Sequence, residues 1–429
     1  MGEVVNLKAA AKGASGSRTR KPPKRSAPAR TSKRSTPRRN KTALVLGGGG
    51  FTGGVYEIGA LRALDLLAAN RTINQFDVYV GTSAGAFVAA LCANGVTPEE
   101  MMRVVTHQGP QAFRDIDLGD LLRLNIPELA RTGVRLPLKL ASLTRQLLPQ
   151  LGQVSLIDIL LGLAEVLPTG AYTGEGIERY LRKVLAEDGR SDDFKALARE
   201  LYLVATDLDS CERIVFGADG FDDVPISTAV RASGALPMVY APVKVGNREL
   251  IDGGIVSTTN LDIAVEAGAD LVIVINPIVP FVNEADAGEP PARRISDMGF
   301  SKIGYQAFKL LGHRRLHELA TMWEERYPGV DIVLIEPEPR DALMFETSIM
   351  SFSSRIEIAR HGFQSVTYHL LDNYERFSEI WARHGIEISE RRVRRVVDHF
   401  EAEEEQVGAW RKILEGTTGA LLRQSGSAG

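Results

Sequence analysis

Residues 76–86 constrain this chain more than any other stretch. They read as a short apolar strand, a sharp turn and the start of a small-residue helix. The turn carries Gly81-x-Ser83-x-Gly85. Glycine on both sides lets the backbone bend tightly and leaves space around the serine. In a nucleophile elbow, such a turn lifts the hydroxyl to an exposed apex above a sheet and aims a helix N-terminus at the reacting centre. The competing reading is a serine in a Gly-rich turn of a dinucleotide-binding sheet. Five residues alone do not separate the two, and the rest of the chain has to.

The surrounding pattern is α/β. Residues 42–46 form an apolar run, 47–54 a Gly-rich loop and 55–69 a helical stretch. Further apolar runs at 201–207, 248–252, 271–276 and 331–336 alternate with helical stretches at 226–232, 261–267 and 300–327. This alternation predicts a mostly parallel sheet covered by helices. The loop contains Gly48-x-Gly50-x-x-Gly53, the literal dinucleotide pattern. That pattern needs a second strand ending in an acid about 20 residues on. Asp65 falls inside the first helix and Asp77 starts the serine strand, so the fit is poor. The alternative use is an oxyanion hole, because both strand-to-helix turns would share the carboxyl edge of the sheet.

A serine needs a base. The seven histidines are His107, His313, His317, His361, His369, His384 and His399. A Ser-acid-His triad would need one of the last six, and none stands in a Gly-rich or strand-end turn. His313 and His317 read as solvated positions on a charged helix. Asp252 is the better partner, since it ends a strand and enters Gly253-Gly254, where its carboxylate can approach another loop. Desolvation there would raise its pKa towards the working range of a base.

Taken in order, the Gly-rich loop, Gly81-x-Ser83-x-Gly85 and Asp252-Gly253-Gly254 resemble the patatin-like phospholipase family. Residues 205–208, Ser233 to Pro237, 241–243 and 268–270 look like the same family, and the resemblance covers roughly residues 42–277. It implies a three-layer fold and lipid acyl hydrolysis by a serine–aspartate dyad. Ser83 would be the nucleophile and Asp252 the general base. Gly48, Gly49, Gly50 and Gly53 would supply the oxyanion hole, helped by the N–H of Thr82 or Ala84. Gly81, Gly85, Gly253 and Gly254 would shape the supporting turns. Two departures stand out. The end of the loop, Phe51-Thr52-Gly53, lacks the family's basic residue, and Ser257 to Leu261 replaces its usual Asn-x-Pro.

Composition sets the remaining limits. Residues 1–41 hold thirteen Lys or Arg against one acid, a charge of +12, while the rest of the chain, 38 basic against 53 acidic, is −15. Such a segment buries too little apolar surface to fold, so it is expected to be a disordered tail that could hold anionic lipid or another polyanion. Its composition also fits a transit peptide, although it shows no apolar helical face. The two cysteines, Cys92 and Cys211, have no metal-ligand spacing, and neither a metal nor a cofactor is expected. No run reaches the roughly 18 apolar residues of a membrane span, so a cytoplasmic protein, peripheral to membranes, is expected. Residues 42–340 are expected to form the catalytic domain and 341–429 a helical C-terminal region, with oligomerisation open. An apolar insertion at 95–170 reads as a lid or as ordinary helical packing. A Ser-His-Asp esterase and a non-catalytic lipid-binding scaffold on the same fold stand as alternatives.

Overall fold

A computed structural model describes residues 4–6, 40–106, 169–283, 293–347 and 353–398, with residues 125, 126, 130, 132 and 400 besides. Most of the insertion, His107 and His399 lie outside these. Eleven strands are described: β1 (Val4–Asn6), β2 (Thr42–Leu46), β3 (Val78–Thr82), β4 (Gly170–Tyr172), β5 (Glu200–Asp207), β6 (Arg213–Phe216), β7 (Met238–Tyr240), β8 (Val243–Val245), β9 (Arg248–Asp252), β10 (Leu271–Ile275) and β11 (Asp331–Ile335). The main sheet runs β1-β11-β10-β2-β3-β5-β9-β8, with β6 also on β5. From β1 to β5 every pairing is parallel, while β6, β9 and β8 pair antiparallel. β4 and β7 form a separate parallel pair.

The central strands are mostly apolar because both faces are covered. All five residues of β2, β10 and β11 are buried. Leu44, Leu46, Ile273 and Ile275 pack on one side, and Ala43, Val45, Val272 and Val274 on the other. The first face is covered by α1 (Gly50–Leu67), α2 (Ala84–Ala93), α3 (Pro98–Val105), α4 (Glu175–Leu185) and α5 (Ile226–Ser233). The second is covered by α6 (Leu261–Glu266) and α7 (Phe300–Ala320), which contribute Leu261, Ile263 and Leu316. The result is a three-layer α/β/α fold, as expected, with helices extending it at the C-terminal end.

Two expectations are corrected. Val4–Asn6 does not belong to an unstructured tail. It pairs with β11, Val4 opposite Ile332 and Asn6 opposite Leu334, and so forms an edge strand. Its run of Val4 and Val5 is too short to be picked out inside a segment dominated by basic residues. The helices after residue 340 pack onto the same core. Helix α8 (Arg355–Asp372) places Ile358, Ala359, Val366 and Leu370 in the same cluster as α1 and the sheet. The helix expected over 300–327 breaks at Thr321, and 323–326 continues as a separate short turn of helix.

Candidate active site

One feature of β5 brings the site together. Its partner β6 pairs with Leu203 to Thr206, which occupies one edge of the strand. Both β3 and β9 must therefore lie along the other edge. β3 runs parallel there until Thr82 stands opposite Val204. β9 comes from the opposite direction, with Asp252 opposite Ala205. The two strands thus meet end to end on neighbouring residues of β5. The residue after β3 is Ser83, and the last residue of β9 is Asp252. Residues 169 positions apart are brought into contact by strand register alone.

Ser83 Oγ donates to Asp252 Oδ2 at 2.5 Å. Ser83 has φ 56° and ψ −122°, a conformation that non-glycine residues rarely adopt. The strained turn is held from three sides. The Ser83 N–H donates to Ser233 Oγ at 2.9 Å, and that hydroxyl donates to the Val204 carbonyl at 2.5 Å. Thr82 Oγ1 accepts from Asn260 Nδ2 at 2.9 Å. The Gly85 N–H donates to the Gly47 carbonyl at 3.1 Å, tying the elbow to the Gly-rich loop.

Asp252 is buried at 3% exposure. Its Oδ1 accepts from the Gly254 N–H at 2.7 Å. Its own N–H donates to the Ala235 carbonyl, and its carbonyl accepts from Thr206 Oγ1. Burial raises its pKa from the ordinary 3.8 to about 6, against the opposing hydrogen bonds from Ser83 and Gly254. Desolvation wins because two hydrogen bonds do not replace the water shell of a carboxylate. The group is then a carboxylate near neutral pH yet basic enough to take a proton.

The glycines serve close approach. A Cβ on Gly85 would lie 2.4 Å from the Gly47 oxygen and 2.5 Å from the Leu46 oxygen. A Cβ on Gly253 would lie 2.2 Å from the Val204 oxygen. These neighbours are backbone atoms of the sheet edge and cannot yield locally. Gly85→Ala is therefore expected to destabilise the fold by about 3 kcal/mol, read as a lower denaturant midpoint in equilibrium unfolding. An unchanged midpoint would mean that the elbow lies further from β2 than described.

The four loop glycines are not equivalent. The Gly48 N–H donates to the Thr258 carbonyl and that of Gly53 to the Gly49 carbonyl. Both are committed. Gly49 and Gly50, at φ 144° and 63°, are half-buried and lead into α1, and their N–H groups donate to nothing else among the described residues. Gly48 still flanks the nucleophile, since a Cβ there would sit 3.4 Å from that of Ser83.

The five described histidines are all paired with carboxylates elsewhere: His313 and His317 with Glu336, His361 with Asp341, His369 with Glu338 and His384 with Asp331. None of these pairings involves Asp252. Sequence reasoning missed Ser233 as a positioning residue. Its one signal was a serine at the end of a helix directly before Gly234. It also missed Asn260, which adopts a left-handed conformation and bonds Thr82 and the Ser257 carbonyl in the loop that departs from the expected Asn-x-Pro.

The model of the family described as patatin-like phospholipase matches residues 44–265. Probable lipid hydrolase 463L of Invertebrate iridescent virus 6 is 24% identical over 229 residues, covering 52% of this chain and 63% of that protein. Uncharacterized protein YqhO of Bacillus subtilis (strain 168) is 27% identical over 221 residues, covering 48% of this chain and 64% of that protein. The chain thus spans just under two thirds of the length of these curated relatives. Among solved structures, VipD from Legionella pneumophila superposes with a TM-score of 0.35 at 17% identity, over 78% of this chain and 67% of that one.

Proposed function

Because the chain belongs to the patatin-like phospholipase family, we propose that it hydrolyses fatty-acyl ester bonds of a lipid with Ser83 as nucleophile and Asp252 as general base. The observation that carries this reading is the 2.5 Å hydrogen bond from Ser83 Oγ to a buried carboxylate. Ser83 Oγ attacks the acyl carbonyl and its proton passes to Asp252 Oδ2. The tetrahedral oxyanion takes hydrogen bonds from the Gly49 and Gly50 N–H groups, with the Ala84 N–H at the start of α2. Two helix N-termini then face the developing charge. Asp252 returns the proton to the leaving alcohol as the acyl-enzyme forms. Water, deprotonated by Asp252, releases the fatty acid and restores Ser83.

Such a substrate is met at a membrane surface, and the +12 charge of residues 1–41 suits an anionic one. No helix among the described residues is long and apolar enough to cross a membrane. The test is to incubate the chain with a fluorophosphonate probe and, separately, with phosphatidylglycerol vesicles and a chromogenic acyl ester. Labelling confined to the peptide containing Ser83, with fatty acid released, is the expected result. Hydrolysis that continues after full labelling, or no labelling and no hydrolysis, would overturn the assignment.

A further inference from the structure

Away from Ser83, the structure assembles a second group of side chains that the reaction above does not use. His313 and His317 stand four residues apart on α7, so both face the same way. Their ring centroids are 4.0 Å apart. Opposite them is Glu336, the first residue after β11, at 1% exposure. His317 Nε2 lies 2.9 Å from Glu336 Oε2, and His313 Nε2 lies 3.9 Å from Glu336 Oε1. One donor atom from each residue falls within 4.8 Å of the other two.

We propose that His313, His317 and Glu336 form a binding site for a divalent transition cation, zinc above all. Two imidazoles and one carboxylate are the donor set of borderline cations, whereas calcium and magnesium ask for oxygen ligands alone. Three protein ligands leave a fourth position for water, and a tetrahedral ion with bonds of about 2.0–2.1 Å holds its ligands about 3.3 Å apart. His317 Nε2 and Glu336 Oε2, at 2.9 Å, are near that spacing already, and a small rotation of His313, whose Nε2 lies 3.9 Å from the other carboxylate oxygen, closes the site. Glu336 is held for the purpose. Asn276, which follows β10, donates from Nδ2 to Glu336 Oε1 at 2.8 Å, leaving Oε2 towards His317. Such outer-shell orientation is what keeps a carboxylate ligand in place.

The expectation that no metal would bind rests on cysteine spacing, with His313 and His317 weighed only as triad members and read as solvated. The structure half-buries both against a carboxylate that lies 19 residues beyond His317 in the chain.

The ion would fasten α7 to the carboxyl edge of the sheet. That helix already touches the loop after Asp252. A Cβ on Gly312 would meet Thr258 Cγ2 at 3.0 Å, and Arg315 donates to the Val256 carbonyl. The carbonyl of Thr258 in turn accepts the Gly48 N–H. Metal binding would therefore stiffen the wall behind the Gly-rich loop without touching the reacting atoms.

The test uses the full chain without a histidine tag, stripped by a chelator and titrated with zinc chloride in a calorimeter. One zinc per chain is expected, with a raised Tm and no competition from magnesium or calcium. X-ray absorption of the zinc-loaded chain should show nitrogen and oxygen neighbours only. His313→Ala and His317→Ala, both half-exposed, should each weaken binding by more than about tenfold, and Asn276→Ala by about 10–100-fold. No saturable zinc binding would overturn the proposal, as would sulfur ligands or unchanged affinity in both histidine variants. If a variant fails to fold, the stoichiometry and absorption spectrum of the wild type still decide. None of these readouts depends on ester hydrolysis, so the failure of either reading leaves the other standing.

Discussion

Ser83→Ala is expected to lower kcat/KM for a soluble chromogenic acyl ester by about 10,000-fold or more, and Asp252→Asn by a comparable factor. The first variant removes the atom that bonds to the acyl carbon. The second keeps the shape but replaces an acceptor with an amide that can only donate towards Ser83 Oγ. The serine proton then has nowhere to go. Because nucleophile and base act as a unit, the double variant should be no slower than either single one. His361→Ala and His369→Ala should keep wild-type rates, since these residues pair with Asp341 and Glu338 and not with Ser83. The pH profile adds a second reading. With Asp252 raised to about 6, kcat/KM should fall below pH 6 with the slope of a single proton and level off above it. Retention of more than a tenth of the activity in Asp252→Asn would remove that residue from the base's role. A large loss in either histidine variant, with the protein still folded, would reopen the Ser-His-Asp alternative.

What the sequence made legible was local. The apolar runs of β2, β10 and β11 announce strands buried on both faces, and the glycines around Ser83 announce the elbow, because each signal lies within a few neighbouring residues. The partnership of Ser83 with Asp252 was suggested by a strand end before a Gly-Gly turn. Its physical cause, two strands meeting end to end along one edge of β5, is a matter of register between distant segments. The loop glycines show the same limit. The four look interchangeable on paper, yet Gly48 and Gly53 spend their N–H groups on backbone carbonyls, whereas those of Gly49 and Gly50 donate to nothing among the described residues. Ser233 and the triangle of His313, His317 and Glu336 were hidden for the same reason. Each is defined by what a helix packs against, and helical spacing alone reports which residues share a face but not what that face meets. The packing of α8 is hidden likewise, since its amphipathic pattern is the same whether it covers a separate core or the first one.

At pH 8, Asp252→Asn is expected to be more stable than the wild type, by about 3 kcal/mol, and at about pH 3 the two should be nearly equal. The sign follows from the direction of the pKa shift. Burial raises Asp252 from 3.8 in the unfolded chain to about 6 in the folded one. A raised carboxyl favours the protonated form in the folded state. Well below 3.8 it is protonated both folded and unfolded, so folding carries no electrostatic penalty. As pH rises from 3.8 to 6 the unfolded chain gives up this proton while the folded protein keeps it, so stability falls, and it levels off once the buried group is ionised as well. An asparagine carries no charge at any of these pH values, yet its oxygen can accept from Gly254 and its amide can donate to Ser83 Oγ. The difference between the variant and the wild type therefore opens between about pH 3 and about pH 7 and is flat beyond. Denaturant midpoints measured across that range check it. A variant less stable than the wild type at pH 8, or a difference independent of pH, would mean that the carboxylate is solvated in the folded protein. The expected outcome ties the two halves of the site together, because the desolvation that makes Asp252 basic enough to take the serine proton also destabilises the fold at the pH where the reaction runs.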